Sequence, residues 1–226
     1  MVEFASNRTD FQVEPIARIT LQQKIYRQVA DLILKGEIAP GELVTIQALA
    51  DAFGVSTMPV REALIRLTAA GALTMVTGRS MGIPRLSTDQ LKDLRNVRME
   101  VEGVAAGWAS AKIDTDQIKQ IEMQCDALKQ AVAAGDIKAY LRLNRLFHFS
   151  VYEIAQSPTL VALIETLWLR ISPYFNLLHG SGNYIISNEH HRELLQALKN
   201  GNPTAARKAV HADIQDAYAV LAELLG

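Results

Sequence analysis

Residues 45–71 constrain the fold more than any other stretch, because they predict two short helices joined by a tight turn. Apolar side chains recur on one side of the first helix, at Leu49, Ala50 and Phe53. Gly54 ends that helix, since glycine enters the left-handed region without a Cβ penalty. The stretch therefore predicts a helix–turn–helix.

The second helix of this pair has an inward face and an exposed start. Ser56 can cap its first turn, and Pro59 is tolerated there because first-turn N–H groups have no partner within the helix. The inward apolar stripe follows at helical spacing, at Val60, Ala63, Leu64, Leu67 and Ala70. Off that stripe lie the candidates for DNA contact, Ser56, Thr57, Met58, Arg61 and Arg66. Such a helix can enter the DNA major groove, although two helices packed in an ordinary core would show the same pattern.

A predicted hairpin after this helix favours DNA binding. Residues 73–76 are a short β-prone run, 77–82 a turn, and 83–86 a second strand. The tip is basic and rich in glycine, with Thr77, Gly78 and Arg79 at its centre. Glycine lets the backbone come close to a phosphate, so the hairpin is typical of the wing of a winged helix.

With this hairpin included, residues 20–86 resemble the DNA-binding domain of the GntR family of bacterial transcription regulators. The resemblance rests on Gly36, Pro40-Gly41-Glu42, Leu49-Ala50, Gly54-Val55-Ser56, Pro59 to Leu64, Arg66-Leu67 and Gly71. It implies DNA contacts from the start of the second helix, from Arg61, and from the wing tip at Thr77, Gly78 and Arg79. The sequence departs from the family pattern at Thr57, where the family usually has Arg, and at Met58, where it usually has Thr.

The regions on either side of the helix–turn–helix complete the predicted organisation. Residues 20–36 predict a first helix, and residues 1–17 lack periodicity, which predicts a flexible N-terminal arm. Ser87-Thr88-Asp89 predicts the N-cap of a new helix and with it a domain boundary. We expect an arm over 1–17, a winged helix–turn–helix over 18–86 and an effector-binding and dimerisation domain over 87–226.

From residue 88 onward the pattern is helical almost throughout. Breaks at glycine, proline and aspartate separate six predicted helices, near 88–110, 114–134, 136–155, 158–178, 186–199 and 203–225. Short loops between long helices predict an antiparallel all-helical bundle. The predicted fold class is mainly α.

Charge and cysteine content limit the function classes. The formal net charge is −1, but residues 15–86 hold eight Lys/Arg against five Asp/Glu, while 87–226 hold fourteen against sixteen. A mildly basic module on a mildly acidic remainder suits a protein that touches DNA with one part only. Cys125 is the only cysteine, and no apolar run reaches the length of a bilayer span, so we expect a cytoplasmic protein without membrane contact.

Polar residues on the inward faces of the bundle predict a ligand site. Asp213 lies at the edge of an apolar stripe, Asn144 and His148 are one turn apart, and His191 shares the side of two leucines. Convergence of Asn144, His148, His191 and Asp213 would suit Zn²⁺, Ni²⁺ or Mn²⁺. For any one of these residues, a hydrogen-bonded position in the core is the alternative.

Residues 88–226 resemble the helical effector domain of the FadR subfamily, the FCD fold. The residues that carry this are Arg98 with Glu102-Gly103, Asn144 to His148, Ser157-Pro158, His191 before Leu194-Leu195, Ala197-Leu198 and Ala205-Ala206-Arg207. The resemblance implies a divalent metal on an Asp and three His, with a small carboxylate effector beside it. Here Asn144 stands at the Asp position and Asp213 at the last His position.

Without a metal, the same pocket can bind an organic acid through Arg98, Asn144, His148 and His191. Arg98 has an alternative role, since Glu102 follows it at the i, i+4 spacing of an intrahelical ion pair.

Three functions are consistent with the sequence. The first is a repressor that binds a palindromic double-stranded DNA operator as a homodimer and senses a metabolite. The second is a metal-dependent enzyme using the same histidines, which lacks support because no HExxH, CxxC or Gly-rich phosphate loop is present. The third is a bundle that only dimerises. We expect a regulator and not an enzyme.

Overall fold

The structure, a computed structural model, describes residues 20–226, and the predicted arm over 1–17 lies outside the described residues. Within this range the fold is mainly α, with one small antiparallel sheet. No helix in residues 20–226 combines the length and the apolar character that crossing a bilayer requires.

The amino-terminal elements form the winged helix–turn–helix. In chain order they are α1 (Leu21–Leu34), β1 (Leu43–Thr45), α2 (Ile46–Phe53), α3 (Thr57–Ala69), β2 (Thr74–Thr77) and β3 (Ser80–Gly82). Gly54 ends α2 at φ 65° and ψ 38°, in the left-handed region. Ser56 holds the N-cap position of α3, but its side chain makes no capping hydrogen bond, so that part of the prediction is wrong.

The sheet differs from the predicted hairpin in two respects. The second wing strand is Ser80–Gly82 and not 83–86, because Met81 faces the core and is 1% exposed. β3 lies at the centre of the sheet, paired with β2 on one side and with the unpredicted β1 on the other. A three-residue strand such as β1 carries little local signal, and its pairing with β3 defines it.

The carboxy-terminal elements form the helical bundle. They are α4 (Thr88–Ser110), α5 (Thr115–Ala133), α6 (Ile137–Ile154), α7 (Pro158–Ile171), a 3₁₀ segment (Ser172–Leu178), α8 (Asn183–Lys199) and α9 (Pro203–Leu225). The side chains of Ser87 and Gln90 form a capping box at the start of α4, which agrees with the predicted N-cap. Helix α9 packs along α4 and α8, and α5 packs along α6 and α8.

Two predicted helix boundaries are wrong. The helix expected over 158–178 ends at Ile171, because Pro173 has no N–H to continue the ladder and the chain tightens into the 3₁₀ segment. Helix α8 begins at Asn183 and not near 186, and the Asn183 N–H binds the Ser181 hydroxyl at 3.2 Å.

The 3₁₀ segment joins the bundle to the winged helix–turn–helix. Tyr174 hydrogen-bonds to the backbone of Pro84 and Leu86, just after β3. Asn176 Nδ2 donates to the carbonyl of Gly36, just after α1, at 2.8 Å. The segment therefore holds two places of the DNA-binding unit at once.

Candidate functional site

The predicted DNA-contacting residues lie at the start of α3 and at the wing tip. The residues at both places are exposed: Ser56, Thr57, Met58 and Arg61 at the helix, and Thr77, Gly78 and Arg79 at the tip. Thr77 Oγ1 accepts the N–H groups of Arg79 and Ser80 at 3.3 and 3.1 Å, which holds the tip in one shape. Both sets of residues are thus accessible to a DNA duplex, and contacts with bases and phosphates require this accessibility.

Arg66 has an intramolecular role besides its predicted one. Its guanidinium lies 4.4 Å from the centre of the Tyr26 ring, so it stacks α3 on α1. The residue is exposed, and its contact with DNA stays a prediction.

Three of the predicted ligand residues converge inside the bundle from three different helices. His148 of α6, His191 of α8 and Asp213 of α9 place their ligating atoms within 4.8 Å of one another. The two Nε2 atoms are 3.1 Å apart, and His148 Nε2 lies 3.3 Å from Asp213 Oδ2. Both histidines are buried, and the Asp213 side chain is 13% exposed.

A hydrogen-bond chain orients the His148 ring. The Tyr152 hydroxyl donates its proton to Glu102 Oε2 at 2.6 Å, so it accepts from His148 Nδ1 at 3.1 Å. His148 therefore carries a proton on Nδ1, and its Nε2 faces Asp213 and His191. This is the way a metal-ligating imidazole is oriented by a group behind it.

His191 is held in its neutral form. Burial lowers its pKa to about 3, against the smaller opposing effect of the Asp213 charge. Its Nε2 points to His148, while its buried Nδ1 has no hydrogen-bond partner in the part of the chain that is described. A neutral imidazole is the form that binds a metal.

Asp213 is held as a carboxylate although it is largely buried. Burial acts to raise its pKa, but the hydrogen bond with His148, the adjacent His191 imidazole and the hydrogen bond from Ser187 outweigh burial, so the pKa lies below its ordinary value. Ser187, one turn before His191 on α8, donates a hydrogen bond to Asp213 Oδ1. Sequence reasoning missed Ser187, although its i, i+4 spacing to His191 was a usable signal.

Asn144 lies in the same cavity wall and is buried. Its Oδ1 is buried without a hydrogen-bond partner within residues 20–226. Leaving such an oxygen unpaired costs about 1–3 kcal/mol, and a ligand in the cavity would remove that cost.

Arg98 lines the cavity and also forms the pair with Glu102 that its spacing suggested. Its Nε and Nη2 bind the two Glu102 oxygens at 2.6 and 3.3 Å, and both residues are buried. The guanidinium lies over the Trp168 ring, 5.4 Å from its centre. The pair fixes the position of Arg98 at the cavity, and Glu102 in turn binds Tyr152, the residue behind His148 that sequence reasoning missed.

The cavity itself is small. Its volume is about 20 Å³, and its lining includes Arg98, Asn144, His148, Ser187 and Asp213. A water-sized group needs roughly 10–15 Å³, so the space is large enough for an ion or a water.

An exposed helix and wing, joined to a helical domain with a buried polar cluster, are typical of a transcription regulator that binds DNA with one domain and a small molecule with the other. The model of the FCD domain matches residues 93–216, and that of the bacterial regulatory proteins of the gntR family matches residues 21–83. The chain belongs to the GntR family, with the FCD architecture of its FadR subfamily.

Relatives over nearly the whole chain agree. The transcriptional regulator McbR of Escherichia coli K12 is 28% identical over 90% of this chain and 93% of its own. The transcriptional repressor RspR of the same strain is 25% identical over 87% and 86%. Members bind DNA operators through the first domain and small-molecule effectors through the FCD domain, and they are regulators and not enzymes.

Solved structures show the same fold. E. coli McbR/YncC superposes with a TM-score of 0.84 at 27% identity, over 92% of this chain and all (100%) of that one. A GntR regulator from Rhodococcus sp. RHA1 superposes with a TM-score of 0.72 at 20% identity, over 88% and 96%.

Proposed function

We propose that the protein is a cytoplasmic repressor that binds a palindromic operator as a homodimer and responds to an organic acid bound beside a divalent metal ion. The observation that carries this proposal is the convergence of His148, His191 and Asp213 beside a cavity that His148 and Asp213 line, and whose wall continues into the 3₁₀ segment. Phe175 and Leu178 of that segment line the cavity, and Tyr174 and Asn176 of the same segment hold the DNA-binding unit.

On the DNA side, a dimer would place two copies of α3 about 34–36 Å apart in successive turns of the major groove. Ser56, Thr57, Met58 and Arg61 are the residues that we assign to base and phosphate contacts, with Thr77, Gly78 and Arg79 at the minor groove or backbone. Their exposure supports this assignment, since the first group lies at the start of α3 and the second at the end of β2 and in the turn before β3. The proposed division into 18–86 and 87–226 is supported by the capping box that opens α4.

The donor set of the cavity fits a divalent metal. Two neutral imidazole nitrogens and one carboxylate oxygen suit Zn²⁺, Ni²⁺ or Mn²⁺, and the unpaired Asn144 oxygen offers a fourth, weaker ligand. The Nε2 atoms of His148 and His191 lie 3.1 Å apart, so both can bind the same ion. Without an ion, two neutral rings at this distance can form only one hydrogen bond between them. When bound, the ion would supply a positive charge to which an anionic effector binds.

The charge balance of the cavity supports an anionic effector only in the presence of that ion. Arg98 and Glu102 neutralise each other, the histidine His191 is neutral, and Asp213 leaves one negative charge. A carboxylate would meet repulsion there, since like charges in a poorly hydrated site repel strongly. A divalent cation changes the balance to one positive charge, which a monocarboxylate neutralises.

The 3₁₀ segment supports a route from the cavity to the DNA. A ligand that moves Phe175 acts on a backbone whose neighbours, Tyr174 and Asn176, hydrogen-bond to the residues after β3 and after α1. Such a ligand alters the operator affinity only if it binds the two arrangements of the segment unequally.

A bundle that only dimerises is a weaker candidate. A purely structural core would leave Asn144 Oδ1 buried without a partner among residues 20–226, at a cost of about 1–3 kcal/mol. Natural cores retain few such groups without a reason.

The test uses full-length protein and an operator selected from random duplexes. Operator affinity is measured by fluorescence anisotropy with Zn²⁺ alone, with each of a panel of carboxylates alone, and with both. We expect a carboxylate to change the affinity at least fivefold in the presence of Zn²⁺, and by less than twofold after EDTA treatment. Protein that selects no duplex, or an operator complex that no carboxylate changes, would contradict the proposal.

A further inference from the structure

A second, larger cavity lies beside the metal and effector cavity. We call it the vestibule; it has a volume of about 250 Å³, and its mainly apolar lining includes Val132, Ile137, Tyr140, Leu178, Tyr184 and Ile185. This volume is just below the range of roughly 300–1,000 Å³ that small-molecule sites have. The vestibule is therefore large enough for part of a ligand that the inner cavity of about 20 Å³ cannot hold.

The two cavities share a wall. Tyr140, Leu178 and Tyr184 line both of them. The rings of Tyr140 and Tyr184 stack with their centres 4.2 Å apart and form a thin partition. Tyr140 is buried, whereas Tyr184 is half-buried at the start of α8, so Tyr184 is the side of the partition that can turn.

The outer rim of the vestibule is the turn before α8, which contains two glycines. It includes Gly180 and Gly182, which have φ of 83° and 81°, and a Cβ added at either would meet no atom within 4 Å. Glycine adopts positive φ without strain, so the turn before α8 is formed by two residues that have no side chain to fill the entrance of the vestibule. Tyr184 follows this turn directly.

The vestibule has little charge of its own. Apart from its two tyrosines, Asp136 and His179 are the ionisable residues of its lining, and none of the described residues that line it is Lys or Arg. An anionic group would find no cation there, whereas the inner cavity has Arg98 and the proposed metal ligands. A ligand that spans both cavities must have its carboxylate inside and its apolar part in the vestibule.

We infer that the effector is an amphipathic monocarboxylate whose apolar chain or ring passes the Tyr140–Tyr184 partition and fills the vestibule. The inference rests on the proposed function, because the carboxylate is bound in the inner cavity. It adds the chemical class of the ligand: an acid with an aliphatic or aryl tail, in place of a small polar di- or tricarboxylate.

The partition also gives the tail a means of signalling. The Tyr184 hydroxyl donates to the carbonyl of Phe175, in the 3₁₀ segment, at 2.8 Å. A tail that turns Tyr184 breaks this hydrogen bond and frees the backbone between Tyr174 and Asn176. Acids too short to reach the partition would bind without this effect.

The test is a titration of Zn²⁺-loaded full-length protein with acetate, butanoate, hexanoate and octanoate by calorimetry. Burying one methylene is worth about a fourfold gain in affinity, so the affinity should rise by that factor per methylene until the vestibule is full. The variant Ile185→Asp places a charge in the vestibule from an exposed position, and Ile137→Asp does so from the opposite wall. The matched control is Ile186→Asp, an exposed neighbour on α8 outside the lining.

We expect both vestibule variants to lose at least tenfold in octanoate affinity and less than twofold in acetate affinity, with Ile186→Asp unchanged for both acids. Equal affinities for acetate and octanoate in the wild type would overturn this inference and leave the proposed function intact. A chain-length effect that both vestibule variants retain would also overturn it. If no acid of this series binds, the inference fails, and the wider carboxylate panel of the anisotropy test decides the proposed function separately.

Discussion

The hydroxyl of Tyr174 in the bundle donates to the backbone carbonyl of Pro84 in the DNA-binding unit. The same oxygen accepts the N–H of Leu86 at 2.8 Å, so one side chain holds the chain on both sides of residue 85. Burial raises the pKa of Tyr174, so the hydroxyl keeps its proton and can serve both partners. Phe175, the next residue, lines the inner cavity, so one peptide bond separates the cavity lining from the residue that holds the chain after β3.

Tyr174→Phe should weaken the response to the effector. The substitution removes two hydrogen bonds, together worth about 1–3 kcal/mol, while the ring stays in place. We expect the ligand-induced change in operator affinity, measured by anisotropy, to shrink at least threefold, with the effector affinity itself within about twofold of wild type. Tyr218→Phe is the control, because Tyr218 lies on α9 against Arg95 of α4. An undiminished response in Tyr174→Phe would assign the coupling to another contact.

Arg61→Ala should weaken operator binding without affecting the fold. Arg61 is exposed on α3, so its removal leaves no cavity. A base contact would make the loss about 1–3 kcal/mol and specific for the operator, whereas a phosphate contact would weaken all duplexes and reduce the salt slope by roughly one. Titration of operator and random duplex at two salt concentrations separates these cases. Arg142→Ala on the exposed side of α6 is the control, and equal losses in both variants would remove Arg61 from the interface.

His191→Gln should abolish metal binding, while His190→Gln should not. The two neighbours differ in surroundings, since His191 points to His148, and His190 binds Asp216 at 2.8 Å. Ligand at 100 times its Kd stabilises a protein by about 2.7 kcal/mol, which raises the Tm of a chain of this size by roughly 5–10 °C. We expect this rise with Zn²⁺ in the wild type and in His190→Gln only. Elemental analysis that finds equal metal in both variants would exclude His191 as a ligand.

Without metal, the stability of the protein should decrease as the pH falls from about 6.5 toward 4. Burial lowers the folded-state pKa of His191 to about 3, so below its ordinary pKa of 6.5 the unfolded chain takes up a proton that the folded chain does not. The slope from this residue is at most about 1.4 kcal/mol per pH unit. The lowered pKa of Asp213 contributes stability that is lost only as the pH falls below its ordinary value of 3.8, outside this window.

Urea unfolding in EDTA across this pH range measures the effect, and His191→Gln should flatten the curve. His190 acts in the opposite direction: burial lowers its pKa, but the hydrogen bond with Asp216 and other acidic neighbours raise it overall, so it stabilises the fold below its ordinary pKa. His190→Gln should therefore lower the stability by a nearly constant amount across this range and leave the slope almost unchanged. A wild-type curve that His191→Gln leaves unchanged would contradict the assignment.

Where a structural signal is local, the sequence was sufficient to predict it. The bounds of α4 agree with those predicted, because the capping box of Ser87 and Gln90 is formed by residues three apart. The turn at Gly54 follows from glycine's access to the left-handed region. Inward positions of His148, His191 and Asp213 follow from helical periodicity, since each shares a face with buried apolar residues.

Signals that depend on distant partners were not available from the sequence. The strand Leu43–Thr45 exists through its pairing with Ser80–Gly82, and the hydrogen bond of Tyr152 to Glu102 joins residues fifty positions apart. Periodicity gives the side of a helix on which a residue lies, but not the residue that faces it across the bundle.

The sequence by itself determined the family, the helix–turn–helix and the inward faces of the helices, because periodicity, caps and turn residues act within a few positions. Only the tertiary structure decided that His148, His191 and Asp213 meet, that Tyr152 orients one of them, and that the vestibule lies behind a pair of tyrosines. The packing of helices far apart in the chain sets these distances, and the energy of that packing is shared among many apolar contacts that no single stretch of sequence contains.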